Sequence, residues 1–463
     1  MTRGAGRDSL WRDPRFVRCW TSSAVSQFGD RVSEVAVPLI AVGLLDASAG
    51  QVAWLTALAW APNLLALVLG AWVDGRAHKR RLLVVTDLVR AVVLLSLPLA
   101  YLWDALTLGQ LYAVALLTGF AGVVAGCAWM PLFARLVPSS SYVDANSKFS
   151  AARSASFIAG PAAGGGLVQA LGAPVAVIAD AVSFLVSALL LNRVAVDEPA
   201  PAVRTGAALP ALLRDAREGL AFVVRQPVLR AGLGCSTTVN FFTFLSGTGM
   251  VVLFADRELG LSPGAIGLTL GIGAGGSLVG ALTAPRVSRR IGVGRSVTVG
   301  AVLFPAPFAL AAVAGGPAWA AAGFLGAAYF LVGVGVMWFD VNLNSLQAVV
   351  TPDALRSRVV GAYSTVNYGI RPLGALAGGV LATAFGLRVT LVTVAVGGVL
   401  SVLWLLPSPI PGIRSLETGP WHGTAEPPSP TRESGPPGHP ARTDWAGSRR
   451  STSRDARGAR HGR

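Results

Sequence analysis

Gly70-Ala71-Trp72-Val73-Asp74-Gly75-Arg76-Ala77-His78-Lys79-Arg80-Arg81 is a short polar turn between two long apolar runs. The first run extends from Val52 to Val73 and the second from Leu82 to Leu102. At about 1.5 Å of rise per helical residue, each can cross roughly 30 Å of hydrocarbon. The turn carries Arg76, Lys79, Arg80 and Arg81, so it is expected on the cytoplasmic face. Small residues at Gly70 and Ala71 would let two helices approach closely. Asp74 closes the first run beside the cations and offers an ion pair that could switch.

The spacing of Gly70, Asp74, Lys79 and Arg80 resembles G-x-x-x-D-x-x-x-x-[KR]-[KR], the loop between the second and third helices of the major facilitator superfamily. Arg76 is an additional cation inside the pattern. An ordinary short turn obeying the positive-inside rule is the alternative.

The whole chain is membrane-like. Of its 463 residues, 53% are hydrophobic and 13% charged, against about 25% charged in soluble domains. The formal charge of +15 does not indicate nucleic acid, because the cations sit in loops and at the termini, where they meet an anionic leaflet. Cys19, Cys127 and Cys235 are widely separated and show no metal or disulfide spacing. His78, His422, His439 and His461 all lie outside the apolar spans, which argues against a membrane enzyme built on histidine or a metal. No Walker-type loop is present. No cofactor is expected; a proton gradient would supply the energy. The basic N-terminus leads into a retained first helix rather than a cleaved signal.

Twelve spans can be placed, giving an all-α integral membrane protein of two six-helix halves. The expected division is an N-terminal arm 1–15, a first half 16–194, a central loop 195–227, a second half 228–407 and a disordered tail 408–463. Arg214 to Val224 could form an amphipathic surface helix in the central loop. Basic residues concentrate after the even-numbered spans, so both termini are expected in the cytoplasm. Two internal similarities support the halves. Gly70-Ala71 with its basic residues recurs in the second half at Gly280-Ala281, without the acid. Gly164-Gly165 recurs at nearly the same offset, at Gly378-Gly379.

Asp30 and Glu34 in span 1 share a helical face four residues apart. A charge deep in a span costs about 2.5–3.5 kcal/mol on insertion scales, so such residues face the bundle interior. They are the proton-coupling candidates; permanent pairing with Arg153 or Arg371 is the alternative. Gly160-Pro161, Gly164 and Gly165 resemble the G-x-x-x-G-P-x-x-G-G motif of superfamily antiporters, with Ser156 in place of its first glycine. Asp87 opens span 3 and is assigned to the gate with Gly70, Asp74, Arg76, Lys79 and Arg80. Gln27, Asn240, Phe241, Phe244, Tyr329, Trp338, Asp340 and Arg371 are the candidates for a substrate cavity. Structural pairing with an acid is an alternative for Arg371, and packing for the aromatics.

Gln347-x-x-x-Thr351-Pro352-x-x-Leu355-Arg356-x-Arg358-Val359 resembles the drug and siderophore exporter branch, which contains the enterobactin exporter and macrolide efflux proteins. Gly29-Asp30 and Asp180-Ala181-Val182-Ser183-Phe184 are similar to that branch too. Thr351 is expected to cap the following helix. The resemblance covers roughly residues 15–407. It implies proton-coupled efflux of a small, bulky, amphipathic compound by a monomeric transporter in a bacterial cell membrane. A siderophore or lysophospholipid exporter, or a non-transporting receptor or assembly partner, are the alternatives.

Overall fold

The computed structural model of the protein describes residues 10–138, 141–196, 208–352 and 355–416, with no strand among them. The first set of helices is α1 (Pro14–Leu39), α2 (Ala49–Trp60), α3 (Ala66–Asp74), α4 (Lys79–Leu102), α5 (Leu108–Leu136), α6 (Tyr142–Leu171) and α7 (Ala173–Asn192). A linker helix, α8 (Ala208–Arg225), follows. The second set is α9 (Pro227–Arg257), α10 (Pro263–Ile291), α11 (Val293–Leu303), α12 (Phe308–Ala312), α13 (Ala318–Val350), α14 (Arg356–Gly369), α15 (Arg371–Phe385) and α16 (Leu387–Val399).

Among the described residues, eight segments are long and apolar enough to cross a membrane: α4, α5, α7, α9, α10, α11 with α12, α13, and α16 with the turn after it. The other four expected spans coincide with helical segments outside that group. α1 carries Asp30, Arg31 and Glu34, and α6 carries Asp144, Lys148 and Arg153. Span 2 divides into α2 and α3 across the 3-10 turn Ala61–Leu65, which holds Pro62. Span 11 divides into α14 and α15 at Arg371-Pro372, since proline has no N–H to continue the helical bonding.

The two sets repeat their contacts in the same register as their sequences. A Cβ placed on Gly165 of α6 would lie 2.9 Å from Gly267 Cα of α10. Gly379 of α15 is the counterpart of Gly165, and it meets Ala53 of α2, the counterpart of Gly267 at the identical offset. Gly164 faces the Arg31 carbonyl, and its counterpart Gly378 faces the carbonyl of Leu245, the counterpart of Arg31. α6 against α10 and α2 against α15 are therefore equivalent seams between the sets. Both seams lie towards the end bearing Asp46 and Arg257, which are themselves ion-paired. α9 kinks there at Gly247, whose φ of 35° favours glycine.

Ser48 begins α2 with a capping box: its hydroxyl accepts from Gln51 N, and Gln51 Oε1 accepts from Ser48 N at 2.8 Å. Ser48→Ala is expected to cost about 1 kcal/mol, read as a lower midpoint of thermal unfolding in detergent.

α8 extends the expected surface helix in both directions. It is tied to α14 by Glu218 and Arg358, 2.7 Å apart. The start of the tail departs from expectation. Ile410 is buried, and the carbonyls of Ile413 and Arg414 accept from Gly294 N at 2.9 Å and Val293 N at 3.2 Å. These bonds anchor the chain beyond residue 407 to the start of α11. The rest of the expected tail, 417–463, lies outside the described residues, as do 1–9 and 197–207.

Candidate functional site

Three carboxylates converge between α1, α4 and α7. Asp180 is 1% exposed and Asp87 6% exposed, so neither has access to bulk water. Asp180 accepts hydrogen bonds from the hydroxyls of Ser33 and Ser183. Asp87 accepts from Ser187 Oγ at 2.5 Å, and Ser187 bonds Ser22 at 2.7 Å. Asp30 completes the group and lies 3.9 Å from Arg90. Arg90 also stacks over Phe184 at 4.9 Å and passes Gly122 of α5. Its guanidinium is within electrostatic reach of both Asp87 and Asp180. Gly29 makes this assembly possible. A Cβ there would lie 2.1 Å from Ser183 Oγ and 2.4 Å from Asp180 Oδ1. The Gly29-Asp30 and Asp180-to-Phe184 motifs, far apart in sequence, are thus two sides of one contact.

Neither expected arginine partner is used by span 1. Asp30 pairs with Arg90, and Glu34 pairs with Arg31 one turn away. Glu34 also reaches across to α9, where Thr248 Oγ1 donates to it at 3.4 Å. Arg31 lies over Phe157 at 4.2 Å, and Gly160 of α6 makes room for its stem. Asp87 accepts from Ser187 of α7, which places it with the buried carboxylate group.

The cations of the basic turn hold helix ends. Lys79 Nζ donates to the Val73 carbonyl at the end of α3, and Arg80 donates to the Asn192 carbonyl at the end of α7. Arg18 caps α7 beside it, at the Arg193 carbonyl. Cationic groups on the last carbonyls of a helix complement its dipole. Arg76 stacks over Trp72 at 4.6 Å. A Cβ on Gly70 would meet Cys127 Sγ at 3.7 Å, an ordinary contact, so no close approach depends on that glycine. The Asp74 side chain lies outside the described residues. Gly164 and Gly165 divide their roles: the former meets α1, the latter α10. Pro161 contributes its carbonyl to the α10 seam beside Gly267.

A cavity of about 410 Å³ opens between α9, α13 and α14, at the end of the molecule away from the two seams. Asn240, Asp340 and Arg371 line it, as the sequence suggested. Arg371 starts α15 at the proline break and is enclosed by three rings. Its guanidinium lies 4.3 Å from Trp60, 4.4 Å from Tyr368 and 4.7 Å from Phe244. Its Nε donates to Asn240 Oδ1 at 3.1 Å. This is a set of cation–π contacts, not the acid pairing considered for it. Phe244 therefore supports the site from beneath Arg371.

The remaining cavity candidates do not line it. Gln27 donates back to Ser23 of its own helix at 2.8 Å. Phe241 stacks edge-on against Phe242. Trp338 donates to Thr283 of α10 at 2.9 Å, and Tyr329 packs against Gly273 of α10. Thr351 does not cap α14, which begins after Leu355; it ends α13, and its Oγ1 is buried without a partner. Asp340, Asn344, Gln347 and Thr351 form one polar stripe on α13 facing the cavity. Their 4–3–4 spacing is a helical signal legible only when the four residues are taken together. Asn342 points elsewhere, to Ser288 of α10.

Comparison with known proteins gives the same architecture. The Major Facilitator Superfamily model matches residues 19–372 and 233–441. The multidrug efflux pump Tap of Mycobacterium tuberculosis (strain ATCC 25618 / H37Rv) is 29% identical over 430 residues, covering 88% of this chain and 96% of that protein. Among solved structures, a bacterial homologue of the iron transporter ferroportin in its inward-facing state has a TM-score of 0.66 at 18% identity, covering 86% of this chain and 100% of that one. Its outward-facing state gives 0.52 at 16% identity, over 85% and 98%. The nucleoside transporter NupG gives 0.64 at 15% identity, over 85% and 98%. With apolar helices repeated in two sets and the family's model running through both, the chain belongs to the Major Facilitator Superfamily of multi-pass membrane transporters.

Proposed function

We propose that this transporter exports a small, bulky, amphipathic compound, a drug, antibiotic or other natural product, in exchange for protons by alternating access. The observation that carries the reading is Asp30, partly exposed and set against Arg90 beside two buried carboxylates. Moving a proton on or off such a group changes the charge between packed helices, which biases how they sit. The name of the relative, a multidrug efflux pump, supports export and a drug-like cargo. The cavity volume of about 410 Å³ suits one drug-sized molecule.

In this cycle the cavity faces the cytoplasm while the α6–α10 and α2–α15 seams close the outside. Rocking of the two sets would exchange the open and closed ends. Proton entry supplies about 2.3 kcal/mol per charge for each 100 mV, with no cofactor. The protein acts as a monomer in the bacterial cell membrane, with both termini in the cytoplasm. Asp30→Asn is expected to abolish substrate-driven proton flux in proteoliposomes screened with macrolides, dyes and catechol siderophores. Flux equal to wild type would move the coupling role to Glu34. A screen in which no compound moves protons with either protein would overturn the cargo class first and favour the non-transporting reading.

A further inference from the structure

The cavity between α9, α13 and α14 contains opposite charges that do not pair. Asp340 and Arg371 both line it, and each lies within the other's electrostatic reach. Nevertheless no ion pair joins them, and among the described residues Asp340 accepts no hydrogen bond. The aromatic enclosure explains the separation. Trp60, Phe244 and Tyr368 hold the guanidinium from three sides, and Asn240 fixes its Nε. A guanidinium has five N–H donors, so Arg371 retains donors beyond the one that Asn240 receives.

Two further donors on the same wall are unsatisfied. Gln347 Nε2 and Thr351 Oγ1 are buried with no hydrogen-bond partner. Both belong to the α13 stripe that starts at Asp340. The cavity therefore offers one carboxylate, Asp340, and two guanidinium groups, Arg371 and Arg356, the latter also donating to the Ala348 carbonyl at 3.4 Å. Neither Gln347 Nε2 nor Thr351 Oγ1 has surface open to the cavity, so the groups left for a ligand are the Asp340 carboxylate and the Arg371 guanidinium, which face one cavity without pairing.

We propose that this cavity binds a zwitterion, its ammonium on Asp340 and its carboxylate or phosphate on Arg371. A ligand carrying a cation alone would leave the Arg371 donors unmet and bring like charge towards Arg371. A ligand carrying an anion alone would satisfy the donors and bring like charge towards Asp340. A zwitterion answers both Asp340 and Arg371. The inference rests on the export reading, and narrows its cargo from amphipathic compounds in general to those bearing both charges.

The test is equilibrium binding to the full-length protein in lipid nanodiscs, without a gradient. Norfloxacin, which carries an ammonium and a carboxylate, is compared by fluorescence anisotropy with its methyl ester, a cation only, and its N-acetyl derivative, an anion only. The expected result is that norfloxacin binds at least about tenfold tighter than either derivative, one extra charge contact in a partly dry site being enough for such a ratio. Asp340→Asn should remove the preference of norfloxacin over the N-acetyl compound. Equal or tighter binding of either singly charged derivative would overturn the proposal, as would no binding of all three, or an unchanged preference in Asp340→Asn. Because binding needs no proton flux, a preserved charge preference with failed transport would sink the export reading alone. Flux with other compounds and no charge preference would sink this inference alone.

Discussion

Arg90→Leu is expected to destabilise the protein by about 1–3 kcal/mol, below the range for a fully buried ion pair because Asp30, its ion-pair partner, is 41% exposed. The Arg90 side chain is 16% exposed and lies against Asp30, within reach of Asp87 and Asp180. Without it, three carboxylates would face one another in an apolar surround. They would have to take up protons or draw water into the bundle, and either disrupts the serine bonds that fix α1 and α4 to α7. Leucine fills much of the stem volume, so the loss reports charge rather than a hole. Arg90→Lys should retain part of the stability, since a point charge remains but the flat stacking on Phe184 is lost. Adding Asp180→Asn to Arg90→Leu should recover part of the loss, because one buried charge is removed with its partner. Thermal unfolding in detergent is the readout. A midpoint for Arg90→Leu equal to wild type would mean that the carboxylates do not depend on this arginine.

Gly165→Val should push open the end of the molecule closed by the seams. The new Cβ would fall 2.4 Å from the Pro263 carbonyl and 2.9 Å from Gly267 Cα. Both are backbone atoms, which cannot rotate away as a side chain does. Overpacking of this kind costs about 1–3 kcal/mol, which corresponds to a shift of roughly 5–150-fold between two conformations. Spin labels at Trp103 and Trp319, both highly exposed, would read the shift as a longer distance by pulsed electron resonance. Gly379→Val at the equivalent seam should act more weakly, because its Cβ meets the Ala53 methyl at 2.4 Å and the nearest backbone only at 3.3 Å. Gly126→Val, where a Cβ would find nothing within 4 Å, serves as the control. Identical distances in Gly165→Val and Gly126→Val would show that the seam does not hold the closed end.

Glycines provide the clearest instance of what was readable. The Gly164-Gly165 repeat at Gly378-Gly379 marked two halves before any contact was known, and the contacts follow the same offset. Gly29 was noted only as part of a resemblance, yet its missing side chain is what admits Asp180. Asp87 illustrates the opposite case. Its closeness in sequence to the basic turn suggested a gate, and only the structure shows its bond with Ser187 of α7. Trp338 and Tyr329 are cavity aromatics by type alone; Trp338 bonds Thr283 of α10, and the Tyr329 ring packs edge-on against Phe308 of α12.

The sequence by itself determined the membrane class, the helical content, the two-set organisation and the family. These follow from hydropathy, length, charge bias and internal repetition, which are properties of neighbouring residues or of a fixed offset. Only the tertiary structure decided that Asp30 meets Arg90, that Asp180 sits against Gly29, and that rings from α2, α9 and α14 enclose Arg371. Those partners come from different helices, and their meeting depends on how each helix is rotated about its axis and where proline and glycine break it. In a chain whose spans are apolar on nearly every side, hydropathy does not specify that rotation; close packing of small residues and the pairing of a few buried charges do.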